Sequence, residues 1–466
     1  MTAATGIVVA APGSGIGKTS VSCGILRALR RRGVFVRAAK CGPDYLDPMW
    51  LERATGKSCP NLDSWMAGPR GVREVASGEG LLLVETAMGL YDGFRPDSDE
   101  GSGFEVSRIL ELPVLLVVDA SGAARTVAAV VKGLAEFGHL RTEYVVGVVA
   151  NRVGSPRHAE MVGQALMSAG LPPLVGFVVQ GALPSLPERH LGLLPPNDDE
   201  VLERLADVIE ATVDLEAVLR LASPMRTVTE SVNPQACSEK RCIRPVENRN
   251  GDGLRLGLSW DEAFRFAYAP VVDHLRERGV DVVRFSPLAD ASLPPDLDGL
   301  WLCGGYPEVH AADLAANRSM RRCVADFCRS GRPVLGECGG LLYLASEIVD
   351  LEGVRHEMCG VVPAVGRVGG RLQSLGYRTA TAREDLFVAA KGQAIRGHEF
   401  HYGLLEGEPD GNWRCPFDLE GSRGPLGDEG WWNGSVLATW FHGWLAGGEV
   451  LDRWIEAMRD SRGRRA

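Results

Sequence analysis

The sequence has no run approaching the ~18 apolar residues of a membrane-spanning helix, no C-x-x-C pair, no internal repeat and no low-complexity tract. It also has no excess of positive charge: 50 basic against 60 acidic residues leave a formal charge of −10. Each absence removes a class of function. That charge balance disfavours a broad nucleic-acid or anionic-membrane surface, while leaving room for a local basic pocket. Eleven cysteines, an odd number scattered along the chain, support neither a disulfide framework nor a zinc ribbon. The opening M-T-A-A-T-G-I-V-V-A-A lacks the basic stretch that begins a secretory signal, so a cytoplasmic protein without membrane or nucleic-acid partners is expected. What is present is ordinary globular composition, 45% apolar and 24% charged, over 466 residues. At ~150 residues per domain, that length predicts two or three domains.

Apolar runs stand at 6–11, 34–39, 80–85, 112–118, 144–150 and 174–179, several separated by helical patterns such as 122–137 and 158–169. Short buried runs alternating with helices predict a mainly parallel sheet covered on both faces. The stretch N-D-D-E-V-L-E-R-L-A-D-V-I-E-A-T-V-D-L-E-A-V-L-R-L-A reads as one long amphipathic helix closing this unit. Residues 223–253 lose all periodicity and read as a linker, with Cys237 and Cys242 in it matching no ligand set. A second α/β pattern restarts at L-R-L-G-L-S, giving an expected division into 1–222, a linker over 223–253, and 254–466.

Between the first apolar run and the first helix pattern lies P-G-S-G-I-G-K-T-S, residues 12–20. Small residues let backbone N–H groups turn around phosphate oxygens, and the helix start adds its dipole. Lys18 would neutralise phosphate charge and the Thr19 hydroxyl would ligate Mg²⁺. Gly13, Ser14, Gly15, Gly17 and Ser20 complete the nucleotide cradle, although the first glycine of the strict G-x-x-x-x-G-K-[ST] form is replaced by Pro12. Two acidic segments are candidates to complete a metal–phosphate site. Glu85 ends the run G-L-L-L-V-E and pairs naturally with Thr19, because Mg²⁺ takes one or two carboxylates plus phosphates and water. Asp44 and Asp47 lie in a proline-bounded turn, where a turn bond or helix cap is the competing role.

The second half carries P-V-L-G-E-C-G-G-L-L-Y-L, with Cys338 in a G-x-C-x-G elbow between a short apolar run and a helix pattern. Such a turn lifts the sulfur off the strand, and a helix start is expected to lower the thiol pKa. Gly339 and Gly305, the latter in L-C-G-G-Y-P-E, are the candidate oxyanion donors. Cys23, Cys323 and Cys328 read as core sulfur. A base must come from nine histidines. His442, after an apolar run in A-T-W-F-H-G-W, is the candidate. His398 and His401 read better as packing or substrate contacts, and His139, His158 and His356 as surface or loop residues.

These segments together resemble the cobyrinate (hydrogenobyrinate) a,c-diamide synthase family. The resemblance rests on G-S-G-I-G-K-T, K-C-G-P-D-Y-L-D-P, N-L-D-S-W-M, M-G-L-Y-D-G, D-E-A-F-R-F-A-Y, G-G-Y-P-E, G-E-C-G-G-L-L-Y-L and G-H-E-F-H-Y, in family order over nearly the whole chain. Cobyric acid synthases look less similar, lacking the G-P-D-Y-x-D-P segment. The resemblance implies an N-terminal P-loop domain of dethiobiotin-synthetase type and a C-terminal class I glutamine amidotransferase domain. It implies Cys338 as nucleophile, His442 as base and Asn151 near the adenine. It also implies Thr19, Asp44 and Glu85 at Mg²⁺, with Lys40, Asp44, Tyr45, Asp47 and Asp92 at the substrate or acyl-phosphate site.

The sequence departs from the family pattern beside Glu85, where V-E-T-A replaces V-E-G-V, and at Trp444, which stands where the family has a second histidine. Tryptophan cannot orient a base as a carboxylate does, so a Cys–His dyad is expected. The implied substrates are ATP, glutamine and a tetrapyrrole polycarboxylate, the last requiring cations that Lys40 or Arg396 would supply. Other macrocycles, such as Ni-sirohydrochlorin, remain open at this level, as does a homodimer. A P-loop switch with a degenerate second domain is the reading from another class, disfavoured by the intact Cys338 and His442.

Overall fold

A computed structural model describes residues 4–137, 144–189, 192–193, 199–225 and 253–464. The chain divides into two compact units, Met1–Asn233 and Pro234–Ala466.

The first unit alternates β1 (Thr5–Ala10), α1 (Lys18–Arg31), β2 (Val36–Cys41), α2 (Asp47–Thr55), β3 (Asn61–Leu62), α3 (Ser64–Ala76), β4 (Leu81–Glu85), α4 (Gly103–Leu110), β5 (Val114–Asp119), α5 (Arg125–Glu136), β6 (Val145–Val153), α6 (Pro156–Ser168) and β7 (Leu174–Val179). The strands pair in parallel in the order β3-β2-β4-β1-β5-β6-β7. Successive side chains of a strand point to opposite faces, and here both faces are apolar. In β1, Val8 and Ala10 join one core with Val106, Val127 and Val162 of α4–α6. Ile7 and Val9 join the other, with Ile25 and Leu29 of α1. A sheet buried on both sides explains the near-continuous apolar runs.

Two expectations are corrected here. The long closing helix is two helices, α7 (Glu200–Thr212) and α8 (Leu215–Leu221). Val213 bridges to Gly176 on the sheet, and Asp214 Oδ1 caps α8 by accepting from Ala217 N at 2.9 Å. The stretch expected to be irregular from residue 223 instead opens on a strand pair, Ser223 and Pro224 lying antiparallel to β1. The remainder of that stretch, with Cys237 and Cys242, falls outside the described residues, as does His139.

The second unit is built on a six-stranded sheet in the order Asp281–Phe285, Arg255–Ser259, Gly299–Leu302, Val334–Glu337, Val436–Thr439, Trp431–Trp432. All neighbours are parallel except the last pair. Trp301 packs edge-on against Trp454 of the C-terminal helix Gly448–Gly463, with ring centroids 5.7 Å apart. A four-stranded and a five-stranded sheet, not foreseen from the sequence, occupy residues 345–443. The five-stranded sheet is antiparallel throughout and runs Gly424–Glu429, Phe417–Gly421, Ser374–Ala382, Ala394–His401, His442–Gly443. Both units are α/β folds, the first on a sheet whose main strands are all parallel and the second on a sheet parallel but for its last pair.

Candidate active sites

In parallel sheets with helices on both faces, ligands sit beyond the carboxyl ends of the strands. The segment from Ala11 to Gly17 follows that end of β1 and enters α1 through Gly17, whose φ of 93° lies in the left-handed region. A side chain at Gly17 is excluded twice over, since a Cβ would stand 2.4 Å from Asn151 Nδ2. Asn151 is buried near the end of β6 and donates to Ile16 O at 2.7 Å, so it braces the loop from behind. Arg152 adds a bond to Gly15 O at 2.8 Å and an ion pair with Asp119 at 2.6 Å. Ser14 is exposed, while Gly13, Thr19 and Ser20 are half-buried on the loop and first helical turn.

Lys18 bends back over this loop, donating to Gly13 O at 2.8 Å and to Met88 O. Burial, with Lys40 nearby, lowers its pKa to about 8. Thr19 Oγ1 donates to Glu85 Oε1 at 2.9 Å. The fully buried Glu85 leaves Oε2 without a hydrogen-bond partner. A hydroxyl beside an orphaned carboxylate oxygen suits a divalent cation that completes its shell with phosphate and water. Among the described residues no cluster of three or more His, Cys, Asp or Glu could hold a metal by itself.

Lys40 is not the open cation that the sequence reading made it. Register places it directly opposite Glu85 on adjacent strands β2 and β4. It is 1% exposed and lies 2.6 Å from both Glu85 Oε1 and Asp47 Oδ2. Burial opposes its charge, yet Glu85 and Asp47 prevail and raise its pKa well above the ordinary value. Burial likewise opposes ionisation of Asp47, and Lys40 outweighs it, lowering that pKa. Asp44 Oδ1 accepts from Leu46 N at 2.8 Å and Asp47 N at 3.1 Å, which is the turn role, while Oδ2 faces Lys40 at 4.0 Å. Burial and neighbouring Asp47 push Asp44 up to about 7. Tyr45 is half-buried in the same turn, and the exposed Asp92 accepts from Gly89 N at 2.8 Å. Thr86, the departure beside Glu85, is buried against Gly103, with its hydroxyl unbonded. Arg396, the other proposed cation, lies exposed on a strand of the second unit.

In the second unit Cys338 stands between the strand Val334–Glu337 and the helix Gly339–Leu344 with φ 48°, a strained value for a non-glycine residue. Its N–H donates to Thr439 O at 2.7 Å, anchoring the elbow to the neighbouring strand. A Cβ on Gly339 would come 2.8 Å from Gly305 N, so the two candidate oxyanion amides lie side by side. The expectation of a low thiol pKa is reversed: burial, then the charge of Glu308, pushes the thiol well above its ordinary value. The helix that follows spans six residues, too short for a large dipole to offset that burial.

His442 is 1% exposed and approaches the same loop, since a Cβ on Gly304 would stand 2.5 Å from His442 Cε1. Burial, then His398, lowers its pKa well below 6.5, so thiol and imidazole both rest neutral. The strand pairing of His442 with His398 stacks their rings at 5.1 Å. His398 Nδ1 bonds Tyr268 Oη at 2.8 Å, and the Tyr268 ring lies 5.2 Å from that of Trp444. His401 stacks on Trp440 at 4.2 Å. Sequence reasoning missed Glu337. One of its oxygens accepts from Trp301 Nε1 at 2.8 Å and the other from Gly443 N at 3.2 Å, tying the nucleophile strand to the residue after His442. Its position next to Cys338 was the available signal.

Residues 7–193 match the CobQ/CobB/MinD/ParA nucleotide binding domain, and residues 256–450 match the CobB/CobQ-like glutamine amidotransferase domain. The chain is 42% identical over 447 residues to the cobyrinate a,c-diamide synthase of Syntrophotalea carbinolica, covering 94% of each. It is 41% identical over 449 residues to the hydrogenobyrinate a,c-diamide synthase of Mesorhizobium japonicum, covering 94% of this chain and 98% of that one. The chain belongs to the cobyrinate a,c-diamide synthase family. The cobyrinate a,c-diamide synthase of Salmonella typhimurium, 37% identical, matches over 97% of this chain and 98% of its own. Membership accounts for a nucleotide-binding unit and an amidotransferase unit on one chain. Among the described residues no helix is long and apolar enough to cross a membrane.

Proposed function

We propose that the chain amidates the a and c side-chain carboxylates of cobyrinic or hydrogenobyrinic acid, using ATP and the amide nitrogen of glutamine, in the cytoplasm. The observation carrying this reading is the coexistence of a strained cysteine elbow and a buried histidine, both packed on the Gly304–Gly305 loop, with a phosphate loop backed by Thr19 and Glu85.

In the amidotransferase unit, Cys338 sulfur bonds to the carboxamide carbon of glutamine as its proton passes to His442. The amides of Gly339 and Gly305 receive the developing oxyanion. Collapse breaks the C–N bond, His442 returns the proton to the leaving ammonia, and water then hydrolyses the thioester to glutamate. Cys338 and His442 act as a dyad. Glu337 holds the backbone beside His442, and Trp444 packs on Tyr268.

In the nucleotide unit a substrate carboxylate oxygen attacks the γ-phosphorus and ADP departs, leaving an acyl phosphate. Ammonia then displaces phosphate and forms the amide. Lys18 and the loop amides bind the phosphates, and Thr19 and Glu85 would hold Mg²⁺. When bound, Mg²⁺ neutralises charge on the phosphate oxygens. Asn151 keeps the loop closed near the adenine, and Asp44, Tyr45, Asp47 and Asp92 border the acyl-phosphate site.

Cys338→Ala tests the reading. Glutamine-dependent amidation should vanish while ammonia-dependent amidation persists, and loss of both in a folded variant would overturn it. Mass spectrometry of the macrocycle product should show a gain of two amides.

A further inference from the structure

The loop carrying Gly305 continues into a single turn, Pro307–His310. This turn packs on the residue after the nucleophile: a Cβ on Gly339 would stand 2.9 Å from Pro307 Cδ. The next residue, Glu308, is half-buried, and its charge is the strongest acting on the Cys338 thiol, ahead of that of adjacent Glu337. Among the described residues no cation pairs with it. Burial pushes its carboxyl up to about 7, opposed by a hydrogen bond with its own backbone.

A carboxylate in that position works against the nucleophile, because it disfavours the thiolate. It is useful only if something positive arrives with the substrate. Glutamine brings its α-ammonium four bonds from the carboxamide carbon, a span of about 5 Å.

We propose that Glu308 binds the α-ammonium of glutamine and so presents the carboxamide carbon to Cys338. This rests on Cys338 being the nucleophile. The pairing serves two ends. It orients the substrate, and it offsets the part of the thiolate's suppression that comes from Glu308, so Cys338 is more reactive when glutamine is bound. A simple amide lacking the ammonium leaves the suppression in place.

The test compares two alkylating agents on the full chain, with Cys338 modification followed by peptide mass spectrometry. The diazo ketone 6-diazo-5-oxo-L-norleucine carries the α-amino and α-carboxyl groups of glutamine, whereas iodoacetamide carries neither. In Glu308→Gln the diazo ketone should react about 10- to 100-fold more slowly, the range of one charge-assisted contact. Iodoacetamide should react as fast as in the parent or faster. The parent should also prefer glutamine over glutaramate, which lacks the amino group, and Glu308→Gln should lose most of that preference. Glu308→Asp, keeping the charge, should recover part of it. An unchanged diazo ketone rate, or an unchanged preference for glutamine, overturns the proposal. Equal slowing with both reagents also overturns it, because that pattern marks a damaged elbow. Failure of the diazo ketone to label Cys338 in the parent chain overturns the nucleophile assignment itself.

Discussion

Methionine at position 40 would keep most of the lysine stem and remove the ammonium lying 2.6 Å from both Glu85 and Asp47. Glu85 is fully buried and Lys40 is 1% exposed, so water cannot replace the lost charge. Breaking a buried pair from one side costs about 3–5 kcal/mol. The folded variant has one escape, which is to bind a proton on a carboxylate. From an unfolded reference of about 4.3, that proton costs about 3.7 kcal/mol at pH 7 and about 1 kcal/mol at pH 5. The deficit should therefore be about 3–4 kcal/mol at neutral pH and shrink by roughly 1.4 kcal/mol for each pH unit of acidification.

The signs of the shifts in the parent agree with this window. Burial opposes but does not prevent the raised pKa of Lys40, so its contribution is present at neutral pH and is lost as pH rises from the unfolded lysine value through the folded one. Burial likewise fails to prevent the lowered pKa of Asp47, whose contribution is lost as pH falls below the unfolded aspartate value. Calorimetry should follow the unfolding transition that ATP raises, which identifies the nucleotide unit. At pH 7 that transition should fall by roughly 6–16 °C, at about 2–4 °C per kcal/mol for a unit of this size. Lys40→Met combined with Glu85→Gln should recover most of the loss. An unshifted transition in Lys40→Met, together with a raised KM for the carboxylate substrate, would refute the reasoning and return Lys40 to the substrate.

Because burial lowers Lys18 to about 8 and phosphate favours its ammonium, ATP binding at pH 8 should take up about half a proton. Calorimetry in buffers of different ionisation enthalpy reads this, and Lys18→Ala should abolish it. Tyr268→Phe removes the hydroxyl bonded to His398 Nδ1 at 2.8 Å and should cost about 1–2 kcal/mol of stability by denaturant unfolding. It should also lower glutaminase turnover while leaving the KM for ATP unchanged. Glu337→Gln keeps an acceptor for the Trp301 indole and should retain most glutaminase turnover. Glu337→Leu strands both donors at about 1–3 kcal/mol each and should lower turnover in steady-state assays.

The first unit was legible in the sequence because its strands are buried on both faces, so each appears as an unbroken apolar run. The expected runs at 34–39 and 144–150 fell within or beside β2 and β6. The sheets of residues 345–443 escaped because their strands are mixed in burial, as in Ser374–Ala382, where half-buried positions interrupt the pattern. Cys338, Thr19 and Glu85 were legible because each sits in a local strand–turn or strand-end pattern. The Lys40–Glu85 pair was not, because it depends on the register between two strands 45 residues apart. The stacking of His398 on His442 likewise follows from a strand pairing between distant segments.

That distinction also decides which charges are open to ligands. In a chain of net charge −10 that binds polyanions, a buried lysine is useful to the ligand only if the fold has not already neutralised it. Lys40 touches two carboxylates and is spent on the fold. Lys18 touches the carbonyl oxygens of Gly13 and Met88, which solvate an ammonium without cancelling its charge, and burial therefore weakens its hold on the proton. A phosphate supplies the missing charge. Glu308 presents the same situation with the sign reversed: burial raises its carboxyl, and no described cation answers it until an ammonium enters. Lys18 and Glu308 each stand beside a reactive loop without a counter-charge from the described residues, and each marks where a ligand's charge belongs.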